Sequence, residues 1–245
     1  MPALQASLVS GAVAAALASV FVAGGRFHPA RLIMSERGGL ALSAGIALAY
    51  VFIRVMPELS EERETFVHTT TLPTRFEGMA IYGLALLGFL AFYSIDYFNR
   101  RVRKAAAAGA STPDHDVKVV AFAIYACLVC YLLLSQLGKS PVSLTLYAVA
   151  MAVHFLITAH ALTEQHGDRY QWLGRFVLAG SCLAGWGLSL VTRLPQDVLA
   201  MILAFLSGAI IVDSAVAQLP TDEEGGLAPF LAGALLYSVI LIPLK

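Results

Sequence analysis

Eight stretches of this 245-residue chain are almost free of charge, and that pattern dictates the solvent in which the chain can fold. The runs lie near residues 2–25, 39–53, 78–95, 119–138, 140–163, 176–192, 198–212 and 227–244. A helix needs roughly 20 mainly apolar residues to cross ~30 Å of hydrocarbon. The second and seventh runs are short, but each extends through one ionisable residue, Arg54 and Asp213, to Pro57 and Leu219. In lipid the backbone must satisfy its own hydrogen bonds, and runs this long do so as helices, not barrel strands. The sequence therefore predicts an all-α polytopic membrane protein, a single domain over residues 1–245 with eight transmembrane helices.

Only 13% of the residues are charged and the net charge is zero, which offers nothing to a nucleic acid. Where the charges fall is more informative. With the N-terminus outside, the inner loops hold ten basic residues: Arg26, Arg31, Arg37, Arg100, Arg101, Arg103, Lys104, Lys118, Arg169 and Arg175. The outer segments hold five: Arg63, Arg75, Lys139, Arg193 and Lys245. Basic residues accumulate on the cytoplasmic side, so both termini are expected outside. Loop 58–77 then falls outside, and a flexible basic linker over about 99–118 falls inside. The first run lacks a basic leader and is expected to stay as a helix. All three cysteines lie inside apolar runs, so no disulfide framework is expected. The Ala/Leu-rich style suits a bacterial inner (plasma) membrane.

An ionisable residue at membrane depth is costly and is a functional candidate by default. Asp213 sits ~9 Å from the inner end of the seventh run and His154 ~14 Å from the inner end of the fifth. Each can be a hydrogen-bonded packing residue or a cation or proton site. Cys127 and Cys130 share a face by their i,i+3 spacing and lie level with His154. Thiolates with imidazole suit soft metals, although membrane cysteines also serve as small apolar fillers. Arg54, ~5 Å from the outer end of its run, can snorkel to the interface.

Two segments then resemble the ZIP (zinc–iron permease) metal transporters. Residues 43–59, SAGIALAYVFIRVMPEL, are similar to that family's glycine-led second helix ending in His-Leu-Leu-Pro-Glu, and Pro57 and Glu58 are retained. Residues 207–220, SGAIIVDSAVAQLP, are similar to its Gly-rich seventh helix, which carries an acid and ends in Leu-Pro. The resemblance implies eight helices, both termini outside, a long inner linker after the third helix, and metal-ion transport. The family's fourth and fifth helices carry the metal through His-Asn-x-x-Asp and His-Glu-x-Pro-His-Glu. Here the fourth reads AIYACLVCYLLLSQL, with neither His nor carboxylate. In the fifth, His154 takes the first His position, while Phe155, Ile157 and Thr158 replace Glu, Pro and the second His. Arg54 stands where the second helix usually offers His.

The expected function is thus transporter-like: a metal cation or a proton-coupled solute moving past His154, Asp213, Thr158 and Glu58. Cys127, Cys130 and His154 form the candidate metal ligands. A divalent metal would be substrate, and no resident cofactor is indicated. The alternative is a non-transporting assembly or regulatory protein that kept the bundle and lost the site, with the basic linker against anionic lipid. The bilayer is the first partner, and a homodimer is a further expectation. No HExxH, GxSxG or paired aspartates suggest an enzyme.

Overall fold

The computed structural model describes residues 3–24, 36–69, 74–107, 117–213 and 227–242, which are all-helical apart from short breaks. Helix α1 spans Ala3–Gly24. Helix α2, Glu36–Tyr50, passes through a π turn at Val51–Val55 into α3, Met56–Thr69. Next come α4 (Thr74–Ala107), α5 (Val117–Tyr131), α6 (Leu133–Lys139) and α7 (Pro141–Arg169). A second π turn, Tyr170–Gly174, leads into α8 (Arg175–Val191), followed by α9 (Gln196–Val212) and α10 (Leu227–Leu241).

Each of the eight apolar runs is helical along nearly all of its described length. Among the described residues, six helical segments are long and apolar enough to cross a membrane: Leu4–Ala23, Ala41–Glu61, Met79–Val102, Val117–Lys139, Pro141–Thr163 and Trp172–Val191. They point to an integral membrane protein. The seventh and eighth runs give the shorter apolar helices α9, with 17 residues, and α10, with 15. Their described lengths are ~26 and ~23 Å at 1.5 Å per residue.

Two expected loops contain helix. Residues 58–69, placed in an outer loop by their charge, form most of α3, because Glu, Arg and Leu are strong helix formers with or without lipid. The π turn before α3 has a local cause. Pro57 has no N–H to give the carbonyl four residues back, and a wide turn absorbs the mismatch: Met56 N–H donates to the Val51 carbonyl, five residues earlier. Beyond the third run, α4 continues through the Arg/Lys/Ala segment to Ala107, so the first half of the 99–118 linker is helical. Residues 108–116 lie outside the described residues.

Helices pair over long sequence separations, α2 with α10, α4 with α9 and α5 with α8. At α4–α9, a Cβ on Gly208 would collide with the Ala85 carbonyl, and one on Gly88 with the Phe205 carbonyl. At α2–α10, Gly45 and Gly233 stand in the same relation to the Phe230 and Leu42 carbonyls. Without a hydrophobic force between helices in lipid, such backbone contact is how they associate. Phe21, Tyr50, Tyr125 and Phe155 fill the centre, with Phe21 and Phe155 rings 4.6 Å apart.

Candidate functional site

Helix α7 presents His154 and, one turn later on the same face, Thr158; both are buried. Asp213 caps the C-terminal end of α9 and is also buried. The three meet. Thr158 Oγ1 donates to Asp213 Oδ2 at 3.3 Å, and His154 Nε2 lies 3.8 Å from the same oxygen. That distance is ionic contact but beyond a hydrogen bond. Neither ring nitrogen of His154 has a hydrogen-bond partner, although the side chain is only 1% exposed. The Tyr125 ring stands edge-on at 5.5 Å, and Phe155 borders the imidazole on its own helix.

The chemistry open to this group follows from its donors and acceptors. A neutral imidazole offers one lone pair and one N–H, and a carboxylate offers two oxygens. Nε2 and Oδ2 are the facing atoms that a proton or small cation would bridge. The apolar walls strengthen any such interaction, since little dielectric screening remains.

Glu58, also a sequence candidate, belongs to a second cluster. Its Oε1 accepts from Gln136 Nε2 at 3.2 Å and from Lys139 Nζ. Gln136 Oε1 in turn accepts from Ser143 Oγ at 2.8 Å, and Ser143 Oγ accepts from Arg54 Nη2 at 2.9 Å. The chain of bonds ties the π turn and α3 to α6 and the start of α7. Arg54 is half-buried and donates to Ser143 near the start of α7, which agrees with a guanidinium reaching toward the end of the bundle. Gln136 and Ser143 were overlooked in the sequence. The available signal was that neutral polar side chains inside apolar runs join membrane helices.

The cysteines go elsewhere. Cys130 sits against Cys182 of α8, and Cys127 is near the same thiol. Among the described residues, no three His, Cys, Asp or Glu side chains gather in a group that could hold a metal ion, so Cys127, Cys130 and His154 are not brought together as a ligand set. Compared with known proteins, the chain matches no family model and no curated protein.

Proposed function

We propose that the chain is a divergent transporter on an eight-helix, ZIP-like bundle with both termini outside, in a bacterial inner membrane, and that a proton or a weakly held cation passes His154 and Asp213. One observation carries this: a buried imidazole with both nitrogens unpartnered stands 3.8 Å from a buried carboxylate. A group buried at such expense without a structural bond is suited to a transient occupant. One imidazole and one carboxylate supply two ligands where zinc takes about four, which favours a proton or loosely bound cation over resident zinc.

The test is flux through the purified protein in liposomes, read with an internal pH dye and with divalent-cation uptake. Wild type should move one of these, and His154→Phe and Asp213→Asn should each cut the rate at least roughly tenfold, the factor that 1.4 kcal/mol of lost site interaction produces. Equal rates in wild type and both variants would exclude this pair as the path.

The Glu58 cluster favours a second reading, a non-transporting assembly or regulatory protein. Lys139 pairs with Glu58 and Arg54 joins the same series of bonds through Ser143, so two cations face one carboxylate there, which opposes cation entry from that end. Folded wild-type protein that passes neither protons nor divalent cations would support it.

A further inference from the structure

The outward face of α4 is graded along its length. Leu86, Leu90, Tyr93, Tyr97, Arg101 and Lys104 are all exposed. They recur every three or four residues, so they form one line on the helix. From Leu86 to Arg101 the line rises ~22 Å, about the depth of one leaflet with its headgroups. Its chemistry follows the leaflet: aliphatic side chains, then phenols, then cations. Tyrosine favours the level where acyl chains meet headgroups. The neighbouring acid does not neutralise the cations at the end of the line. Both oxygens of Asp96 are taken, Oδ2 by Arg100 at 2.7 Å and Oδ1 by Lys118 at 3.1 Å.

We propose that this stripe binds an anionic phospholipid, with an acyl chain along Leu86 and Leu90 and the phosphate between Arg101 and Lys104. The guanidinium fork matches two phosphate oxygens and the ammonium adds a mobile point charge. The site depends on the chain being a membrane protein and is independent of whether it transports.

The experiment is native mass spectrometry of the full chain, delipidated in detergent and offered equimolar phosphatidylglycerol and phosphatidylcholine with matched acyl chains. Wild type should retain phosphatidylglycerol roughly thirtyfold better, as two interfacial cations at about 1 kcal/mol each imply. The Arg101→Gln/Lys104→Gln double variant should lose the preference, and Arg193→Gln, at an exposed cation away from the stripe, should keep it. Millimolar inorganic phosphate should not displace the lipid. Absence of preference in wild type, or its survival in the double variant, would overturn the site. Displacement by free phosphate would also overturn it, making the cations a simple anion site. So would a double variant that dissociates a dimer while its lipid preference is unchanged, since the stripe would then join two copies of the chain.

Discussion

The two polar clusters inside this bundle are built on opposite terms. Around Glu58, four side chains from three other stretches of chain converge in a continuous series of hydrogen bonds from Lys139 to Arg54. At Asp213, Thr158 donates one hydrogen bond, and the His154 imidazole stands close with neither ring nitrogen hydrogen-bonded. The Glu58 bonds all run through Oε1, while its buried Oε2 has no hydrogen-bond partner; the continuous series still fixes helices relative to one another. An unpartnered imidazole repays nothing in the folded state. Under the proposed function, the contrast separates a cluster that ties helices together from one that leaves room for a transient occupant.

Displacing α9 should have the largest effect, since α9 carries Asp213 and also packs against α3 and the π turn. Gly208→Ala forces a methyl into the Ala85 carbonyl, so the helices must part. We expect a loss of roughly 2–3 kcal/mol, seen as a lower unfolding midpoint in detergent, with flux reduced because α9 carries Asp213. Gly83→Ala on α4, where nothing lies within 4 Å, should be neutral or stabilise slightly. Equal damage from both would remove the case for backbone contact.

Glu58→Ala comes next. It takes away the acceptor shared by Gln136 and Lys139, and should cost about 2 kcal/mol, moderated because Lys139 reaches solvent. Flux per folded molecule should stay near wild type. A well-folded variant without flux would make Glu58 part of the path instead.

His154→Phe reverses the sign. Replacing an unbonded imidazole by an apolar ring of similar shape should leave stability unchanged or raise it by up to ~1 kcal/mol, while flux is lost. A drop in the unfolding midpoint comparable to that of Glu58→Ala would mean the imidazole is structural and the two clusters are alike.

Asp213→Asn should be the mildest, within about 0.5 kcal/mol, because the amide oxygen still accepts from Thr158. Chemical denaturation can resolve it from Glu58→Ala, and flux should fall as in the histidine variant.

The positions of the helices were legible because apolar runs in lipid have few alternatives to helix. The ends of α3 and α4 were not, since charged Glu and Arg favour helix outside the hydrocarbon as well as loops. His154, Thr158 and Asp213 stood out individually by the cost of burying them. Their meeting did not, because it depends on how α7 and α9 cross, which no spacing within one helix records. Arg54 shows the same limit. Its depth allowed an interfacial position, and only the approach of Ser143 from α7 reveals where the guanidinium is held.

The glycine crossings have a consequence for biosynthesis. Gly45 meets the helix of Gly233 and Gly88 meets that of Gly208, so these early glycine faces are matched by residues made much later. About 190 residues separate the first pair, roughly 10–40 s of translation at 5–20 residues per second. Through that interval α2 and α4 wait in the bilayer with their grooves filled only by lipid. Membrane chaperones that cover small-residue faces would act on this chain in that window, and a ribosome stalled before residue 196 would leave both grooves open.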